Sequence, residues 1–272
     1  MSPREKRPQS RKTRASTRRR GAAKADRPEE IIWRREEPGA RRAGLSRGQI
    51  GAAALAIADA EGFDALSMRR IARELDAGTM TLYHYVRNKD ELLSLMWDAV
   101  IGELILPDEA LSGDWRVALT RRARTTRETF KRHPWIFGAM SQPAQSGPNG
   151  LRQFEQSLEA VRKLQVPTRD RLELIGLVED YVFGFTLREV LQQMYDDQGD
   201  PNMAESGIAF FESELATGEY PNSSKLFRGD LATGMQRVME SFSGKANDRR
   251  FERGLKALFD GFEANRPKPK KP

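Results

Sequence analysis

A chain of 272 residues holds more than one small domain and fewer than three, and is long enough to bury a core. It has no cysteine, which excludes a disulfide framework, a cysteine-based metal site and a cysteine nucleophile, and it has two histidines, which exclude a His-rich metal site. Of the net charge of +7, the first 24 residues supply ten Lys and Arg against Glu5, a net +9 that leaves the rest of the chain at −2.

The basic character therefore sits in a short arm, which suits a polyanionic partner without demonstrating one. Residues 1–43 are rich in Arg, Pro, Ser and Ala, have no apolar periodicity and read as a disordered tail. Within them Ile31, Ile32 and Trp33 either dock on the folded body or form an incidental apolar triplet. The first 24 residues either add affinity for such a partner, as an arm reaching into it would, or merely solubilise the chain.

Order is expected from Ser46. Ser46 and Gln49 form a capping box, and Ile50, Ala54, Ile57 and Ala58 share one face of a first helix that Gly62 ends. Ser67 caps a short second helix with Ile71, Ala72 and Leu75 inward. Asp76-Ala77-Gly78 breaks it, and a third helix over 79–86 turns Leu82 and Val86 inward. Asn88 caps a fourth, whose apolar side is Leu92, Leu93, Met96, Val100 and Leu104. Helical segments follow at 114–132, 135–140, 151–164, 169–195, 200–215, 226–242 and 248–264, and residues 266–272 are a Lys/Pro tail. No strand-type alternation, internal repeat, apolar run of about 18 residues or secretory leader is present, so an all-α, cytoplasmic chain with no membrane partner is expected.

Two short helices joined by a tight Gly-containing turn behind a supporting helix make a helix-turn-helix. Residues 67–89 carry five Lys/Arg against Glu74 and Asp76, a local excess that suits phosphate contact. The string LSMRRIARELDAGTMTLYHYVRNKDELL, residues 66–93, resembles the TetR/AcrR family of bacterial repressors. The likeness rests on Ser67-x-Arg69-x-Ile71-Ala72, on Thr81-Leu82-Tyr83, on the aromatic-valine pair Tyr85-Val86 and on Asn88–Leu92. LSRGQIGAAALAIADAEGFDAL, residues 45–66, fits the family's first helix, and His133-Pro134-Trp135 looks like a turn of some of its C-terminal domains. One departure is Asp76, where the family often has Gly.

The resemblance implies an all-α fold. Residues 44–106, with the helix-turn-helix at about 67–86, would bind DNA, and residues 107–265 would hold a small-molecule pocket and a dimer interface. It implies a homodimeric transcriptional repressor on a palindromic double-stranded operator, with recognition helices ~34–36 Å apart. An unknown effector would shift the fourth helix and release the DNA.

Candidate DNA contacts are Arg47, Ser67, Arg69, Thr79, Met80, Thr81, Tyr83, His84 and Lys89. Tyr83 either reaches a phosphate or base edge or is a packing ring, Ser67 either touches phosphate or only caps, and Tyr85 either contacts DNA or packs on the first helix. Candidate pocket residues are Trp115, Phe130, Trp135, Met140, Phe154, Tyr181 and Phe185, aromatics and a Met that serve equally as core. His133 reads as a helix-end residue before Pro134. Gly176 and Gly184 lie near one face of the long helix, and helices 169–195 and 248–263 are expected to form the dimer interface, unless the glycines only relieve crowding within the protomer. No phosphate loop, nucleophile elbow or HExxH is present, so no enzyme activity, cofactor or metal is expected. The alternatives are a ligand-independent activator or architectural protein, and a helical-bundle enzyme.

Overall fold

The computed structural model describes residues 31–38, 45–140, 142, 144–198, 200–227 and 231–265. The expected basic arm and the Lys/Pro tail lie outside the described residues. The chain divides into a unit ending at Arg35 and a unit beginning at Glu36. In the first, one turn closes where the Arg34 N–H donates to the Ile31 carbonyl at 3.0 Å.

Among the described residues the second unit is helical, with no strand. Its helices are α1 (Arg47–Glu61), α2 (Met68–Glu74), α3 (Thr79–Tyr85), α4 (Lys89–Gly102), α5 (Trp115–Arg132), α6 (Ile136–Ala139), α7 (Pro148–Ala160), α8 (Thr168–Gln198), α9 (Pro201–Ala216), α10 (Pro221–Leu226), α11 (Leu231–Glu240) and α12 (Gly244–Ala264). None of them is long and apolar enough to cross a membrane.

Local chemistry places the starts. Ser46 Oγ accepts the Gln49 N–H at 3.1 Å, Ser67 Oγ the Arg70 N–H at 3.1 Å, and Asn88 Oδ1 the Glu91 N–H at 2.9 Å. Each satisfies an amide that the first turn of a helix leaves without a partner. Asp114 does the same for α5, accepting from Arg116 and Val117. Two prolines move boundaries. Pro148 opens α7 three residues ahead of Leu151, and Pro221 opens α10 in the stretch between the expected helices 200–215 and 226–242, the second of which is α11 over Leu231–Glu240. The fixed φ of proline suits the first helical position, where its missing N–H has no partner to lose.

The first four helices share a core of Ile50, Ile57, Ile71, Leu82, Val86 and Met96, each at most 2% exposed. α1 lies against α4 through Gly51, where an added Cβ would come within 3.3 Å of Leu95 Cβ. A second core joins α5, α7, α8 and α12 around Leu119, Val161, Leu174, Val182, Phe251 and Leu255.

The turn between α2 and α3 shows what Asp76 does. Its φ is +47°, in the left-handed region. The Ala77 N–H donates to the Ala72 carbonyl at 2.9 Å and the Asp76 N–H to the Arg73 carbonyl at 3.4 Å, the paired bonds that close a helix through a left-handed residue. Aspartate tolerates this conformation at a cost that glycine avoids. We therefore expect Asp76→Gly to raise unfolding stability by about 0.5–1 kcal/mol and Asp76→Val to lower it by at least about 1 kcal/mol, in urea melts at one protomer concentration. A loss of stability in Asp76→Gly would contradict this account of the turn.

Candidate nucleic-acid interface and effector cavity

α3 divides its side chains cleanly. Leu82, Tyr85 and Val86 are buried, while Met80 is 75% and Tyr83 43% exposed. His84 is exposed and Thr79 and Thr81 are half-exposed, so the five candidate contacts of this helix share its solvent side. Tyr85 belongs to the packed side. Its carbonyl accepts from Arg47 Nε at 3.3 Å, and Arg47 Nη2 donates to the Glu36 carbonyl at 3.3 Å. The Arg47 guanidinium thus lies along the end of α3, and the Arg47 backbone N–H donates to Glu37 Oε1.

Cations flank this face. Arg69, in the first turn of α2, is exposed, as are Arg73, Arg87 and Lys89. Lys89 Nζ stands 4.8 Å from the centre of the Phe63 ring. Arg70 is different. It forms ion pairs with Glu61 and Glu74, and its hydrogen bond holds the Glu61 carboxyl below the usual carboxylate range. Its charge is therefore balanced within the protein. Ser67 Oγ accepts the capping N–H, which leaves its hydroxyl hydrogen for another acceptor.

A cavity of about 370 Å³ lies in the C-terminal half. α4 contributes Trp97 and Ile101, α5 Arg122 and Phe130, and α8 Val178 and Phe183, with Met140, Gln153 and Ser157 completing the wall. Of the seven candidate pocket residues, Phe130 and Met140 are here. Trp115 instead packs edge-on against Phe259 and Phe262 at 5.3 and 6.2 Å between ring centres. Tyr181 stacks on Phe251, Phe185 packs edge-on against it, and the Tyr181 hydroxyl donates to the Phe251 carbonyl at 3.0 Å. Phe154 is 45% exposed on α7. A wider cavity of about 740 Å³ opens between the end of α8 and α9, α11 and α12, with Arg188, Phe211, Met239, Phe242 and Arg250 on its walls.

Trp135, also expected in the pocket, joins the two helical cores. Its ring stacks on Phe63 at 6.0 Å, and its Nε1 donates to Asp59 Oδ1 at 2.8 Å. His133 is 5% exposed and caps α5. Its Nδ1 lies 2.8 Å from the same Asp59 oxygen and its Nε2 3.2 Å from Glu103 Oε2, which also accepts from Arg132 at 2.7 Å. The α5–α6 turn thereby reaches both α1 and the end of α4. A second tie runs from Asp98 on α4, which accepts the Asn149 and Gly150 N–H groups at 2.9 and 3.3 Å in the first turn of α7, and burial raises its carboxyl pKa. No group of three or more His, Cys, Asp or Glu able to hold a metal occurs among the described residues.

Sequence reasoning missed Arg122, Asp59 and Asp98. For Arg122 a signal existed: Leu119, Arg122, Ala123, Thr126 and Phe130 fall on one helical face, so a charge sits on the apolar stripe. Asp59 and Asp98 carry no such signal, because their partners are more than 50 residues away in the chain.

Comparison with known proteins agrees with this arrangement. Residues 50–96 match the family model described as bacterial regulatory proteins, tetR family, and residues 106–266 match that of the tetracyclin repressor-like C-terminal domain. The HTH-type transcriptional repressor DrrR1 of Streptomyces coeruleorubidus is 32% identical over 250 residues, covering 87% of this chain and 92% of that one. An HTH-type transcriptional regulator of Saccharopolyspora erythraea is 28% identical, covering 79% and 92%. Among solved structures, the TetR family protein ActR of Streptomyces coelicolor in complex with actinorhodin is 30% identical with a TM-score of 0.59, covering 83% of this chain and 99% of that one. The chain belongs to the tetR family of bacterial regulatory proteins and is a DNA-binding transcriptional regulator.

Proposed function

We propose that the protein is a dimeric repressor that binds a palindromic operator through α3 and leaves it when a small molecule occupies the 370 Å³ cavity. One observation carries this reading: α4 packs on α1 and, through Trp97 and Ile101, forms a wall of that cavity. Whatever fills the cavity presses on the helix that positions the reading head. ActR, a relative at 30% identity, is known in complex with actinorhodin, which supports a small-molecule effector here. The presence of a cavity favours the ligand-responsive reading over a ligand-independent activator.

In this reading residues 44–106 are the DNA-binding domain and 107–265 the effector and dimerisation domain. Thr79, Met80, Thr81, Tyr83 and His84 face the major groove, and Arg47, Ser67, Arg69 and Lys89 meet phosphates on either side. The dimer forms through α8 and α12. Leu172 and Leu177 are 43% and 42% exposed on α8. A Cβ added at Gly176, Gly184 or Gly261 would meet nothing within 4 Å, so crowding within the protomer does not explain these glycines, and the open space there leaves room for a second copy. The protein acts in the cytoplasm.

A gel shift and footprint on DNA upstream of the protein's own gene test this reading. Protection of two half-sites one helical turn apart is expected, and no specific band at moderate salt would overturn it. Thr81→Ala should weaken specific binding by about 1–3 kcal/mol. Lys89→Ala should lower the slope of log K against log salt by about 0.9 while leaving sequence preference unchanged.

The bridge between the cores makes a separate prediction. Asp59→Ala strands the buried Trp135 Nε1–H, removes the carboxylate beside His133 Nδ1, and should cost about 1–3 kcal/mol in urea unfolding of the dimer at fixed concentration. Unchanged stability would show that the bridge holds nothing.

A further inference from the structure

Arg122 is 7% exposed and lines the cavity on its α5 side. Nη2 donates to Ser157 Oγ at 2.7 Å and to the Gln153 carbonyl at 3.2 Å. Nη1 is buried and has no hydrogen-bond partner among the described residues. Burial lowers the pKa of the guanidinium, and the carboxylate of Glu179, which acts in the opposite sense, is exposed to solvent. Glu179 and Asp180 both line the cavity and are exposed. The built wall thus leaves a buried cation with neutral acceptors on one nitrogen and none on the other.

Such an arrangement is expensive in isolation, because an unsatisfied buried donor carries its full desolvation cost, and more when it is charged. Five residues along the same helix, Arg127 meets the opposite treatment and pairs with Glu189 and Asp248. What Arg122 lacks is an anionic acceptor, and the space beside it is open. The rest of the wall is largely apolar, with Trp97, Phe130 and Phe183 offering ring surface.

We propose that the effector is an organic acid: a flat, ring-bearing apolar body carrying a carboxylate that seats on the Arg122 guanidinium. This rests on the reading of the cavity as the effector site. A planar guanidinium fork matches a carboxylate, and an ion pair formed away from water discriminates strongly against the uncharged analogue.

The test uses the full-length protein and the neutral fluorophore N-phenyl-1-naphthylamine, whose emission rises in an apolar site. Two competitors share a ring system, 2-naphthylacetate and 2-naphthylacetamide. In the wild type the acetate should displace the fluorophore at about tenfold lower concentration than the amide. Arg122→Met should bring the two competitors together, and Arg122→Lys should keep part of the preference. Equal competition in the wild type, or a preference that survives Arg122→Met, overturns the proposal. Thr126→Trp, which fills the cavity from a half-buried position, separates the two failures. If the fluorophore binds Thr126→Trp as it binds the wild type, or does not bind the wild type, the effector-site reading falls and the proposal with it. If Thr126→Trp abolishes binding and the wild type shows no acid preference, the acid inference alone falls.

Discussion

The helical cores meet on one imidazole. His133 stands between Asp59 of α1 and Glu103 at the end of α4, and Trp135 shares the Asp59 oxygen. A neutral ring has a single N–H and donates to only one carboxylate, so donation to both takes the doubly protonated ring. Either way, α1 and α4 are tied to the α5–α6 turn by polar contacts at a largely buried site, where geometry is less forgiving than at a surface. α4 is further fixed by Asp98, which holds the first turn of α7, and by the glycine contact that presses α1 onto Leu95. Packed interfaces shift between discrete arrangements rather than drifting, and three clamps on one helix suit the switch proposed above.

For a ligand to throw that switch, it must bind the arrangement with low DNA affinity better than the other, and the size of the shift is set by that difference alone. Tight binding to both arrangements does nothing. A buried cation on the cavity wall supplies an interaction whose strength depends steeply on distance and on exclusion of water. If the proposed acid seats on Arg122, a small displacement of α4, α5 or α7 around it changes ligand affinity more than an equal displacement of an apolar wall would. Arg127 offers the contrast. It sits between Glu189 and Asp248, lies over the Phe185 and Phe251 rings, and Asn247 donates to Glu189 from α12. That network is satisfied from within and fixes the register of α5, α8 and α12. Fully paired polar groups specify one packing, whereas Arg122, lacking such a partner, is suited to respond to what enters.

The contrast also explains what could be read from the chain and what could not. The caps at Ser46, Ser67 and Asn88 are contacts three residues long, so the sequence displays them directly, and with them the helix-turn-helix. The left-handed Asp76 is equally local. Aromatic composition marks Tyr181 and Phe185 as pocket or core candidates. Periodicity does not say whether an inward side chain meets another side chain or a cavity. Tyr181 and Phe185 meet Phe251, some 70 residues away, and Trp115 meets Phe259 at the other end of the domain. Phe130, on the apolar stripe of α5, and Met140, just after α6, face the cavity instead. The distinction lies in long-range placement, which no window of sequence carries.

Charge is misleading in the same way. Counting residues 67–89 credits five cations to DNA, but Arg70 is matched by Glu61 and Glu74. Glu61 ends α1 and Glu74 ends α2, so Arg70 ties the supporting helix to the first helix of the motif. What remains is a face on α3 that carries no Lys or Arg, with exposed cations before and after it. In the proposed reading, the hydroxyls and imidazole of that face read base edges, and the cations at its ends position the helix without discriminating sequence. Removing one of those cations should change how tightly DNA is held far more than which DNA is held, while a change on the α3 face should do the reverse.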